Sequence, residues 1–203
     1  MWTSQASDGV ARLSDLHKEF IKKNQLHGIE IVNEDTFSEE ALEIGLNNNL
    51  TLIGTSDVHN LIEWDYQTRK GEHRPVTLIF AKERTKPAIR DALFNGRTVV
   101  WFKDILIGKD KNLVPLLESM ISIESLGYRE GTQMDVNQET SILTVSIRNK
   151  SSAELKIQNQ SAFSFIKHTN LIVLPSEGEM ELQVKTLKQL EDIKLDFLVL
   201  NAL

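Results

Sequence analysis

Apolar residues along the first 120 positions recur with a period that switches between helical and strand spacing. Leu13, Leu16 and Phe20 stand three and four apart, on one face of a helix that should end by Gly28. Residues 29–32 then read as a short buried strand. Thr36 followed by Glu39 has the form of a capping box. It predicts a helix with Ala41, Leu42, Gly45 and Leu46 inward, stopped by the Asn47, Asn48, Asn49 run. Residues 50–54 form a compact apolar strand, and residues 75–81 another, with Pro75 at a first position where a missing N–H is tolerated. Thr85 caps the next helix, Ile89, Ala92 and Leu93 are its apolar face, and Gly96 is its terminal glycine. Residues 98–102 return as a strand. The order β, α, β, β, α, β predicts parallel strands with helices outside, in an open doubly wound sheet or part of a barrel.

Beyond Pro115 and a short helical stretch the pattern changes to brief strands separated by turn residues. Residues 142–147, 155–157, 163–166, 171–174, 180–184 and 193–200 are the strands expected there. Asn and Ser at 149–152 and 159–161, and residues 175–178, punctuate them, which predicts a small antiparallel sandwich. The fold class is therefore α/β followed by all-β, divided into residues 1–118 and 119–203. The first part opens on a helix rather than a strand, as the end of a larger α/β domain would.

Composition narrows the chemistry. The chain has 203 residues, 40% of them apolar and 26% charged, a globular mix with room for one large domain or two small ones. Its net charge of −6, with Lys and Arg scattered among acids, sets up no field for nucleic acid. No apolar run is long enough to span a membrane, and Met1, Trp2, Thr3, Ser4 begin no secretory leader. There is no Cys, so disulfides, thiolate nucleophiles and Cys-based zinc sites are excluded. Phosphate-binding glycine loops, Gly-x-Ser-x-Gly elbows and His-Glu-x-x-His helices do not occur either.

What remains is the stretch Leu50, Thr51, Leu52, Ile53, Gly54, Thr55, Ser56, Asp57, Val58, His59. In α/β architectures functional groups project from the carboxyl ends of strands, where Asp57 and His59 fall. Two apart on an extended segment, a carboxylate and an imidazole point the same way and can converge on one cation. That donor pair suits Zn²⁺, Mn²⁺ or Fe²⁺ better than Ca²⁺. The same spacing also fits an ordinary turn with a surface His. A closed site needs a third ligand, and the candidates are Glu30, Glu34, Asp35, His17, His27 and His73. Period two places Glu30 on the same face as Val32. Arg74, beside Glu72 and His73, can hold a phosphate bidentately if its loop folds over the site. His168, beside Thr169 and Asn170, reads as a loop residue.

The segment from Gly28 through Asn33, the helix at 38–46, the run Leu50 to His59, then His73 to Leu78 and Ala92 to Phe102 resemble the PHP-domain metal-dependent phosphoesterases, in particular a two-domain group. The later stretches around Asn149 and from Leu195 onward are similar to the small sandwich that follows in that group. The resemblance implies a partial (β/α)₇ PHP-type barrel with a C-terminal Ig-like β-sandwich. It implies two or three divalent metals at the strand ends that activate water against a phosphate ester. Its Ser-Asp-x-His motif assigns Asp57 and His59 as metal ligands. The family's other ligands match no position here, so the chain alone is expected to be an incompetent fragment of an enzyme. The alternative expectation is a non-catalytic interaction module, binding a protein partner or forming a homodimer through exposed strand edges.

Overall fold

A computed structural model describes residues 8–129 and 141–203, and Met1 to Ser4, scanned for a leader, lie outside the described residues. The chain divides into two compact units, one running to Leu113 and joined by Leu203, the other spanning Val114–Ala202. The division falls inside one helix, Asp110–Met120.

The first unit opens with helix α1 (Asp15–Lys22), capped by Ser14, whose hydroxyl accepts from His17 N–H. Its apolar stripe is present but uncovered, with Leu16 and Phe20 exposed and no residue buried. Strand β1 (Gly28–Asn33) turns into the two-residue β2 (Thr36–Phe37), and helix α2 (Glu39–Asn47) follows. The cap of α2 is Ser38, which accepts from Ala41 N–H and donates to Glu40. The expected cap, Thr36, is instead a strand residue paired with Asn33, because the antiparallel return of β2 uses it first. Strand β3 (Thr51–Thr55) pairs parallel to β1.

Next come a single turn of helix α3 (Ile62–Asp65), a 3₁₀ turn at Thr68–Lys70, and strand β4 (Val76–Ile79). Helix α4 (Lys86–Phe94) is capped by Thr85, which accepts from Ala88 N–H. It ends with Gly96 at φ 62°, a left-handed conformation that suits glycine. Strands β5 (Thr98–Phe102) and β6 (Ile105–Gly108) complete the unit, and Leu203 exchanges backbone hydrogen bonds with Leu106 and Gly108.

The expectation of parallel strands holds for β1 and β3 only. Strands β4, β5 and β6 form an antiparallel sheet. The reason is local: Phe80 N–H donates to Arg97 O while Arg97 Nε donates to Phe80 O, so the two ends of the α4 excursion close like a hairpin. Threonine hydroxyls join the sheets. Thr77 donates to Gly54 O at 2.8 Å and accepts from Gly54 N–H at 2.9 Å, and Thr98 donates to Leu52 O at 2.8 Å. These side chains satisfy backbone groups that a ladder would otherwise pair. Gly54 has no Cβ because one there would run into Val100. The core beneath is Ile31, Val32, Ala41, Leu52, Val100, Phe102 and Ile107. Each large aliphatic side chain buried there contributes roughly 1.5–3 kcal/mol of transfer free energy.

Helix α5 (Asp110–Met120), within which the division falls, runs directly into strand β7 (Ile121–Tyr128) of the second unit. Strands β8 (Ile142–Asn149), β9 (Leu155–Asn159), β10 (Ser164–Ile166), β11 (Leu171–Leu174), β12 (Glu179–Lys185) and β13 (Phe197–Val199) follow. They form two antiparallel sheets, in the order β10-β12-β8-β7 and β11-β9-β13. Both contribute to one core, in which Ile147, Leu155, Ile157, Leu174, Leu182 and Val184 are completely buried. Three strands, β2, β6 and β7, were not expected from the sequence. The expected strand at 193–200 is reduced to Phe197–Val199, with Ile193 and Leu195 packing on the core outside any ladder.

Candidate functional site

Strand β3 delivers the chain from the interior to the surface over a few residues, since Leu52 and Gly54 are buried and Asp57 and His59 are exposed. Asp57 sits at φ 45°, the left-handed region, which Asp tolerates better than most residues. Glu34, at the end of β1, is also left-handed at φ 51° and donates its N–H to Thr55 O. The two turns thus present carboxylates beside each other at the carboxyl ends of the parallel pair. Backbone conformations of this kind are held in place by their surroundings and gather at functional sites.

These residues line a cleft of about 470 Å³ together with Asp35, Ser56, Val58, Asn60, Trp64, Asp65 and Tyr66. Asp57 Oδ1 and His59 Nε2 stand 3.5 Å apart. Two ligands at about 2.1 Å from one tetrahedral cation stand about 3.4 Å apart, so the pair has the separation of neighbouring metal ligands. Four carboxylates face the cleft, those of Glu34, Asp35, Asp57 and Asp65. One of them, Asp35, is partly neutralised by Lys103 Nζ at 3.5 Å. Burial pushes the Tyr66 hydroxyl above its ordinary pKa, the carboxylates of Asp35, Glu34 and Asp65 add to this, and Arg74 acts against it.

Other residues weighed as ligands are occupied elsewhere. Glu30 is exposed, accepting from Thr55 Oγ1 and from Asn33 Nδ2. It does not share a face with Val32, because a register irregularity between Glu30 and Val32 breaks the two-residue alternation. His17 pairs with Ser14 Oγ, and His27 stacks on Phe94 at 4.3 Å. His73 is wedged against Trp101 at 4.0 Å, its Nδ1 2.8 Å from Arg74 O and its Nε2 2.9 Å from Lys103 O. Both of its nitrogens are engaged. Arg74 is exposed and does not line the cleft, although its charge reaches Tyr66. Among the described residues, no group of three or more His, Asp or Glu side chains is arranged to hold a metal ion. The donor chemistry therefore fits a cation at Asp57 and His59 as a partial site, not a closed one.

Glu34 and Asp35 were visible as candidates from the sequence, whereas Trp64, Asp65 and Tyr66 were not. Their segment has no periodicity, and only the presence of Trp and Tyr in a polar loop offered a signal.

The comparisons with known proteins fit both units. Residues 129–203 match a family described as an Ig-like domain. No curated protein matches the chain. The crystal structure of a two-domain protein containing a predicted PHP-like metal-dependent phosphoesterase, from Bacteroides vulgatus, is 30% identical, with a TM-score of 0.82. The alignment covers 99% of this chain and 55% of that one, so the chain spans little more than half the length of its neighbour. In sequence and fold alike, the chain is similar to part of a two-domain protein containing a predicted PHP-like metal-dependent phosphoesterase, and its residues 129–203 are an Ig-like domain.

Proposed function

We propose that the chain carries one part of a PHP-like metal-dependent phosphoesterase. In this reading residues 1–118 are the C-terminal part of its barrel and residues 119–203 its β-sandwich. Asp57 and His59 are ligands of a divalent metal, Mn²⁺, Zn²⁺ or Fe²⁺, and Arg74, which lies outside the cleft lining, holds the phosphate of the ester when its loop folds over the site. The observation that carries the reading is the 3.5 Å approach of Asp57 Oδ1 to His59 Nε2 in a cleft at the end of β3. Similarity to the phosphoesterase-containing neighbour supports it.

When bound, the metal supplies Lewis acidity toward a phosphoryl oxygen and makes water more acidic. The chain's own residues do the rest. The Asp57 carboxylate and the His59 imidazole set the cation's position, and neighbouring carboxylates oppose entry of an anion that arrives without a cation. A catalytic metal needs about three protein ligands, and two are at hand, so the chain by itself is a poor catalyst. The test is hydrolysis of bis(p-nitrophenyl) phosphate by the purified chain with Mn²⁺ or Zn²⁺. Turnover no greater than that of Asp57→Ala is expected. Hydrolysis abolished by Asp57→Ala would show that this chain is a competent enzyme.

A second reading, an interaction module, draws on the outer face of sheet β11-β9-β13. Leu171, Gln158 and Leu198 lie in one register row there, and Leu171, Val173 and Leu198 are all about half exposed. A strictly monomeric species by light scattering at high concentration would argue against self-association through this unit.

A further inference from the structure

Trp64 is 73% exposed, in a four-residue helix that buries nothing, and the same turn exposes Leu61 and Ile62. A solvated indole gives up the burial that normally stabilises a Trp, and here the ring lines the cleft that holds Asp57 and His59. The cleft is therefore mixed in its lining: carboxylates and an imidazole suited to a cation and an anion bound through it, together with a residue that carries a flat apolar ring. At about 470 Å³ it has the volume of a small-ligand site.

We infer that Trp64 is the stacking platform for a planar aromatic ring carried by the phosphate ester, an aryl or nucleoside group rather than an alkyl chain. This rests on the phosphoesterase reading and adds the substrate class to it. The ester's charged end reaches the cation at Asp57 and His59, and its ring lies on the indole face. Stacking is tolerant of which ring is offered, because every aromatic ring has a π-face. Trp64 is thus a specificity residue, acting on the leaving group or the retained organic group and not on the reacting phosphorus.

The experiment titrates the full chain, in Zn²⁺, with phenyl phosphate, adenosine monophosphate and glycerol 3-phosphate. It follows the Trp64 indole N–H resonance, assigned by its loss in Trp64→Tyr. The two aromatic esters should bind about tenfold more tightly than glycerol phosphate and shift that resonance. Trp64→Ala should bring all three to similar affinity, while Trp64→Tyr keeps most of the preference. The two aromatic esters separate the sources: a preference for the nucleotide points to a nucleobase, parity to any aryl ring, and both support the platform. Equal binding of glycerol phosphate and phenyl phosphate by the unaltered chain would overturn the platform and leave the phosphoesterase reading standing. Absence of Zn²⁺-dependent binding for every ester would overturn that reading and the platform with it.

Discussion

Charge at single residues shows how little of this surface is poised for chemistry and how much is structural. The Arg97 guanidinium, hydrogen-bonded to Asp91, holds that carboxyl below its ordinary value of 3.8, against the opposing effect of burial. A carboxylate depressed in the folded state contributes stability that is fully present above the unfolded value and is lost as pH falls through the folded one. Asp91→Asn should therefore be less stable than the parent at neutral pH. The gap between their urea midpoints should close as pH falls below 3.8 toward the lower folded value. A gap that stays constant down to strong acid would contradict the pairing. Asp57 and His59 belong to a different class. Their order on the chain made them legible as a pair, but His73, equally conspicuous in the sequence, is occupied by two carbonyls and a tryptophan ring. Sequence alone does not say which histidine nitrogens are already engaged.

Among elements, the two sheets of the first unit are joined by threonine side chains where no ladder runs. Thr77 closes the gap between β3 and β4 through both polar groups of Gly54. Thr77→Val keeps the shape and removes both bonds, so it should destabilise by about 1–3 kcal/mol in urea unfolding, while Thr77→Ser should stay close to the parent. A neutral Thr77→Val would mean that the backbone groups of Gly54 find other partners. The sandwich uses one device twice. Asn149, completely buried, donates to Ala153 O at 2.7 Å and Pro175 O at 2.9 Å and accepts from Ser151 N–H at 2.9 Å. Asn159 repeats this with Phe163 O at 2.7 Å and Ser161 N–H at 3.0 Å. Asn149→Ala should cost roughly 2–4 kcal/mol, more than Asn159→Ala, because it loses one further hydrogen bond, to Pro175 O, and comes from the more deeply buried side chain. Equal losses in thermal or urea denaturation would refute that ranking.

These turns were readable in advance because Asn and Ser mark them, as were strands whose apolar residues sit between such marks. Strands β6 and β7 escaped for physical reasons. The β5–β6 turn is built on Lys103 at φ 53°, where an Asn or Gly would have announced it. Strand β7 follows α5 with no intervening turn residue, and its bulge between Ser125 and Gly127 spoils the alternation. The parallel register expected throughout the first unit failed at β4. The long excursion through α4 hid the fact that its ends close like a hairpin.

For the whole molecule, two compact units with separate cores account for the change of period near residue 120, and similarity to a neighbour almost twice as long gives the first unit a context. In the proposed reading, Asp57 and His59, the acidic cleft and the exposed Trp64 belong together as parts of one phosphoester site. That account stands on Asp57 and His59 sharing a cation. The measurement that tests it most directly is a Mn²⁺ titration followed by the histidine ring resonances of the five His residues. Selective broadening of His59 at weak, two-ligand affinity, lost in Asp57→Ala, is the predicted result. Broadening of other histidines in preference to His59, or broadening of His59 unchanged by Asp57→Ala, would contradict it.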